Sequence, residues 1–150
     1  MKKISVLVLT LFALVSMFSC NLRGKEFGSG KVMALEFSTN PSTGYGWEYS
    51  FEGGDAEVVF DREETKLNEN NALMGAPHNV VYYFRATKEG TKNLTFVYRQ
   101  PWTGGEVAYD VVYELVVDKN LNIKCLSKMK GSVISDVDLS TFPNPVFTEE

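Results

Sequence analysis

The sequence predicts an all-β fold, a sandwich of antiparallel sheets, on three observations. Apolar residues recur at period two, most clearly in "EVAYDVVYELVV", where Val107, Tyr109, Val111, Tyr113, Leu115 and Val117 share one face. Runs rich in β-branched and aromatic residues are separated by short turns built from Gly, Asn and Pro. No amphipathic helical stretch of useful length and no internal repeat competes with that pattern.

Taken in order, "KVMALEF" opens the strand series, and "GWEYSF" follows with Trp47, Tyr49 and Phe51 alternating against Glu48 and Ser50. The turn "EGGD" leads to "EVVF". Residues 61–77, "DREETKLNENNALMGAP", are polar and Asn-rich, and read as a long loop of the kind that serves function. "HNVVYYFRA" and "NLTFVYR" form the next pair around "TKEGTK", then comes the long "EVAYDVVYELVV", and "LNIKCL" adds a last short strand after "DKN". Residues 127–150 have little apolar periodicity. "TFPNPVF" has the composition to lie across a sheet, but the pattern assigns that tail no structure.

At 150 residues the chain has room for one domain. Its first 19 residues read as a signal peptide: Lys2 and Lys3, an uncharged run from Ile4 to Phe18, and small Ser19 before Cys20. That run is short of the roughly 20 residues a membrane-spanning helix needs. The segment also resembles a bacterial lipoprotein signal, which implies that Cys20 becomes the lipid-bearing first residue, although Met17 and Phe18 depart from the usual residues before the cysteine. The expected organisation is signal peptide 1–19, linker 20–29, sandwich domain 30–126 and tail 127–150. The expected place is extracytoplasmic, lipid-anchored to a bacterial membrane at the cell surface or periplasm, with plain secretion as the alternative.

The formal net charge of −4, without a basic run or stripe, argues against nucleic acid and anionic membrane surfaces as partners. The chain has two cysteines, so lipidation of Cys20 leaves Cys125 alone and the fold without an internal disulfide. Catalysis finds no constellation. The single histidine, His78, opens a strand at a loop end and reads as a surface contact, and Cys125 reads as a small buried apolar residue. No spacing of Cys and His fits zinc, no phosphate loop precedes a helix, and no metal or cofactor is implied. An enzyme is not expected.

Counting chain reversals along an antiparallel path brings three unusual loops to one end: Asn40–Gly46, Asn68–His78 and Arg99–Gly105. In "NPSTGYGW", Pro41 fixes one φ, Gly44 and Gly46 permit positive ones, and Asn40 can bond backbone two residues on. The tip so formed exposes Ser42 and Thr43, with Tyr45 as a support and Trp47 packing into the core. "LMGAPH" offers Met74 beside a backbone bared by Gly75 and Ala76, followed by Pro77. "YRQPWTGG" carries Arg99, Gln100 and Pro101 to a hairpin tip where Trp102 is exposed or half-exposed. One rigid small tip between an apolar and an aromatic flank makes a wedge.

Together, in this order, the three motifs resemble the chagasin-type inhibitors of papain-like cysteine proteases, over about residues 30–118. The resemblance implies an immunoglobulin-like β-sandwich whose three loops (40–46, 73–78 and 99–105) block a protease's active-site cleft. It implies that Asn40, Pro41, Ser42, Thr43, Gly44 and Tyr45 meet the catalytic centre, with Ser42 and Thr43 nearest the thiolate. Met74 to Pro77 would then lie on one side and Arg99 to Trp102 on the other, the inhibitor acting as a monomer. Two departures stand out: Gln100 precedes Pro101 where the family usually has Arg, and the middle motif holds less glycine than usual. The rival reading is a non-inhibitory surface lipoprotein that binds a glycan or a host protein through the same loops.

Overall fold

The computed structural model describes residues 27–67 and 76–150. Among these described residues nine strands follow in chain order: β1 (Ser29–Gly30), β2 (Val32–Thr39), β3 (Gly46–Glu52), β4 (Glu57–Lys66), β5 (His78–Lys88), β6 (Gly90–Arg99), β7 (Val107–Val117), β8 (Ile123–Lys130) and β9 (Val146–Thr148). They form two antiparallel sheets, one ordered β1-β8-β7-β6-β3 and the other β4-β5-β2-β9. Helical structure among the described residues is limited to two single 3-10 turns, Pro41–Thr43 and Leu139–Thr141.

The alternation read from the sequence is what packs the sheets together. Met33, Leu35 and Phe37 of β2 and Phe84 of β5 face Leu94 and Phe96 of β6 and Val111, Tyr113 and Leu115 of β7, all essentially closed to solvent. Phe96 lies at the centre, with ring centroids 4.4 Å from Phe37 and 5.2 Å from Tyr82 across the sandwich. Apolar area removed from water drives this assembly. Cys125 of β8 belongs to the same core: its thiol is fully buried, donates to the Ser127 carbonyl at 3.3 Å, and is pushed by burial up to about 12. Such a thiol packs as a small hydrophobe and is a poor nucleophile. Two sheets closed over an interleaved apolar core make an immunoglobulin-like β-sandwich.

Two regions differ from the sequence expectation. The loop expected from residue 61 begins only after Lys66, because β4 continues past a β-bulge at Asp61 and pairs with β5 as far as Asn79. Apolar periodicity is blind to that stretch because it is an edge strand, solvated and charged. Asp61 accepts from Arg62 and Arg85 at 2.6 and 3.0 Å, the Arg62 guanidinium lies 3.9 Å above the Tyr83 ring, and Lys66 pairs with Glu36 at 2.6 Å. A bulge and dense charge are also the features that keep an exposed edge from recruiting another strand.

The second region is 127–150, to which the pattern assigns no structure. The strand β8 runs on to Lys130, Phe142 enters the core, and β9 pairs with Val32–Ala34 at the edge of the second sheet. A lone buried Phe among turn-forming residues has no period to reveal it. Cys20 and the residues before it lie outside the described part of the chain.

Candidate functional site

Strand register brings the three loops together. Thr39 pairs with His78, Lys66 with Asn79, and Gly46 with Arg99, so the loops joining β2–β3, β4–β5 and β6–β7 emerge from one end of the sandwich. The turns near Glu52, Glu89 and Asp118 lie at the other, where Glu52 pairs with Asn93 and Gly90 with Val117. This is the clustering expected from the alternation of strand direction.

The first loop is built by its own side chains. Pro41 starts a 3-10 turn for which Asn40 is the N-cap, its Oδ1 accepting from the Ser42 N–H at 3.2 Å and the Ser42 hydroxyl at 2.6 Å. The Thr43 hydroxyl donates back to the Asn40 carbonyl at 2.7 Å. Gly44 then ends the turn at φ +76, a left-handed conformation that disfavours side chains. Gly46 differs from expectation: it is the first residue of β3 and has no positive φ. At the foot of the loop the Trp47 indole donates to the Ser38 carbonyl at 2.9 Å, and its ring packs on Phe37 at 4.2 Å. Pro41, Ser42 and Thr43 stand exposed at the tip.

The third loop is a closed hairpin. The Gln100 N–H donates to the Glu106 carbonyl at 2.9 Å, and the Gln100 side-chain oxygen accepts the Glu106 N–H at 3.1 Å. Gln100 is thus a bracket across the hairpin's neck. Arg99 turns sideways, its Nε donating to the Gln100 carbonyl at 3.3 Å and lying 3.8 Å from Glu48. Pro101 and Trp102 are exposed, Trp102 by 52%. Its ring nonetheless leans on the first loop: a Cβ added to Gly44 would come within 3.1 Å of it. Glycine at position 44 therefore answers both to backbone and to neighbour.

A second tie joins the same two loops. The Tyr45 ring stacks on Tyr98 with centroids 5.4 Å apart, and its hydroxyl donates to Glu106 at 2.9 Å. That bond to a carboxylate raises the Tyr45 pKa, which keeps the phenol protonated and donating. Tyr98 and Glu106 make this tie between the loops, and the sequence reading did not name them. Tyr98 was detectable, since Leu94, Phe96 and Tyr98 alternate on one strand; Glu106 had no local signal.

Of the middle loop, Met74 and Gly75 lie outside the described residues. Ala76 and Pro77 are placed at its descending end, where the Ala76 carbonyl is 3.3 Å from His78 Nδ1. Beside them is a shallow polar notch of about 290 Å³ bordered by Glu36, Lys66, Pro77 and His78. Hydrogen bonds from Lys66 and Asn79 hold the Glu36 carboxylate below its ordinary range, so the notch is a charged but internally paired surface.

His78 is on the loop end and Cys125 inside the core on β8, so the structure does not bring the two together. Among the described residues no group of three His, Cys, Asp or Glu side chains is placed to hold a metal ion. What the end of the sandwich offers is a projection of two loops shaped and tied to each other by side-chain contacts.

The family model described as Chagasin family peptidase inhibitor I42 matches residues 26–117. No curated protein matches the chain. Among solved structures, a cysteine protease inhibitor from Entamoeba histolytica superposes with a TM-score of 0.50 at 24% identity, over 59% of this chain and 80% of that one, which shows a shared fold. Members of the matched family are inhibitors and not enzymes. With more than half of its length matched, including all three loop motifs, this chain belongs to the chagasin family of peptidase inhibitors.

Proposed function

We propose that the chain inhibits papain-like cysteine proteases by inserting loops 40–46, 73–78 and 99–105 into the active-site cleft. The observation that carries this reading is the bracing of two of those loops into one rigid tip, through Tyr45–Glu106 and through Trp102 against Gly44. Little conformational entropy is then left to lose on binding, which is where a preorganised interface gains its affinity. Ser42 and Thr43 at the tip are small enough for close approach to the thiolate. A thiolate attacks only a carbonyl presented at the right distance and angle, and a tip held in a 3-10 turn offers neither. Met74 to Pro77 and Arg99 to Trp102 would cover the cleft on either side. Gln100, which closes the hairpin neck here, supports the loop's shape in place of the arginine usual in the family.

The test is inhibition of papain by the folded chain, with Trp102→Ala beside it. Interface tryptophans commonly contribute about 2 kcal/mol or more, so Trp102→Ala should raise the inhibition constant about thirtyfold. A folded parent chain without effect on papain would overturn the reading.

The reading includes a lipid anchor. The proposal is that residues 1–19 are a signal peptide, that Cys20 is acylated, and that the residues up to about 29 tether the sandwich to a bacterial membrane outside the cytoplasm, at the cell surface or in the periplasm. What supports it is the charged start, the uncharged run and the position of Cys20. Several acyl chains anchor stably where a single one does not. Cys20→Ser should move the protein from the membrane to the soluble fraction; a mutant that remains in the membrane fraction would exclude the anchor.

A further inference from the structure

We infer that the C-terminal segment after β8 is a positioning strap for the inhibitory loops, acting through Phe142. The inference rests on the loop-insertion reading above, and the segment lies beyond residues 26–117, the part matched by the family.

The strap is held at every stage of its path. Where it leaves β8, the buried Asp110 carboxylate accepts the Ser132 and Val133 N–H groups at 2.9 and 3.0 Å, while the Gly131 N–H donates to the Asp110 carbonyl at 3.1 Å. Asp138 caps the 3-10 turn 139–141 by accepting the Ser140 N–H at 2.7 Å. The hydroxyl of Tyr113, whose ring is fully buried, donates to the Pro143 carbonyl at 2.8 Å. Lys128 Nζ donates to the Phe142 carbonyl at 2.7 Å and to Asn144 at 2.8 Å. Finally β9 pairs with β2, so the strap runs from β8 of one sheet to the edge of the other. The part-buried contacts at Asp110, Tyr113 and the Phe142 carbonyl favour one arrangement, because breaking them leaves poorly solvated groups without their partners, whereas the bonds to Ser140 and Asn144 are exposed.

These contacts deliver one ring to the core. Phe142 is 3% exposed and meets Tyr109 at 5.7 Å and Trp47 at 6.4 Å between ring centroids. Tyr109 stacks on Tyr98 at 5.1 Å, and Tyr98 stacks on Tyr45 at 5.4 Å. The four rings make a continuous column from the strap to the inhibitory tip, and it ends on the Tyr45–Glu106 bond that ties two loops together. Trp47, the second ring against Phe142, closes the foot of the first loop through Ser38. Removing Phe142 empties the base of that column, and stacked rings above a void lose their fixed positions. Phe142 is a positioning residue, since it reaches the tip only through other side chains.

The test uses the full chain with Phe142→Ala, the milder Phe142→Leu, and Leu94→Ala, a fully buried residue nearer the opposite end. All are studied at a temperature where circular dichroism shows each to be folded. Amide exchange at Gly44, whose N–H donates to the Pro41 carbonyl, is read against Ala56, whose N–H donates to Thr91 at the far end. Packed networks couple sites to an extent that makes Gly44 exchange about tenfold faster in Phe142→Ala, with the papain inhibition constant raised about as much. Ala56 should be unchanged, and Phe142→Leu should fall between parent and Phe142→Ala. Leu94→Ala should do the reverse, speeding Ala56 and leaving Gly44 and inhibition alone. Unaltered Gly44 exchange in Phe142→Ala overturns the inference, as does equal acceleration at both ends. A parent that fails to inhibit papain sinks the loop-insertion reading instead, and the exchange measurements then judge the strap by themselves.

Discussion

Ser42→Trp is expected to weaken inhibition of papain at least about a thousandfold, a loss of about 4 kcal/mol, while leaving the sandwich folded. In the free protein Ser42 is exposed, and its side chain forfeits one bond, from the hydroxyl to Asn40 Oδ1, while the backbone N–H that bonds the same oxygen is kept. Substitutions at exposed loop tips cost little stability. In the cleft the same side chain would have no room. The tip is proposed to rest against the floor beside the thiolate, and interiors packed to crystal-like density do not absorb an indole. Because Tyr45–Glu106 and Trp102–Gly44 tie the first loop to the third, lifting the tip lifts both. Ser42→Ala is the comparison, and it should cost only a few-fold, in line with one exposed hydrogen-bonded side chain. Inhibition constants of the parent and both variants decide the matter. A tryptophan variant as potent as the parent would mean that the tip does not enter the cleft.

How far the molecule was legible in its sequence depended on what kind of interaction held each part. Strands buried on one face declare themselves: Val111, Tyr113 and Leu115 alternate because the core demands it, and all are closed to solvent. Loop clustering was legible too, since strand direction alternates and every second connection shares an end. The continuation of β4 to Lys66 was not, because its contacts are ion pairs with Arg85 and Glu36, which leave no apolar period. Nor was the strap, whose hold depends on backbone carbonyls at Phe142 and Pro143 that accept from Lys128 and Tyr113.

Within the site the division is the same. Asn40, Pro41 and Gly44 act on their own backbone within a few residues, and the sequence motif contains all three. The ties that turn two loops into one tip span long separations, 61 residues between Tyr45 and Glu106, and are visible only once the sheet has set the register. Gln100 is a further case. Its departure from the family's usual arginine is obvious in the sequence, but its bond across the hairpin neck is a property of the folded loop.

Phe96→Ala is expected to cost about 3–5 kcal/mol of stability and lower the melting temperature by roughly 10–20 °C. The position is the meeting point of the core. Its ring is fully closed to solvent and packs across the sandwich on Phe37 and Tyr82, with Tyr49 at 5.7 Å, Phe84 at 6.1 Å and Tyr113 at 6.4 Å completing the shell. Alanine there removes the apolar surface of a whole ring and also the edge-to-face partners of Tyr82, Phe84 and Tyr113. These five neighbours belong to four different strands, β2, β3, β5 and β7, drawn from both sheets, so a collapse that filled the void would have to shift strands and not only rotamers. The loss is large against the roughly 5–15 kcal/mol by which domains of this kind are stable. Little else compensates, because Cys125 is a free buried thiol and the ion pairs on β4 and β5 are exposed. Phe60→Ala supplies the contrast: that ring is 40% exposed at the open edge and has two ring partners, Tyr49 stacked at 5.9 Å and Phe84 edge-on at 6.3 Å, so its removal should cost well under half as much. Thermal unfolding followed by circular dichroism measures both. A Phe96→Ala protein melting within about 5 °C of the parent, or no lower than Phe60→Ala, would show that the aromatic centre is not what holds the two sheets together.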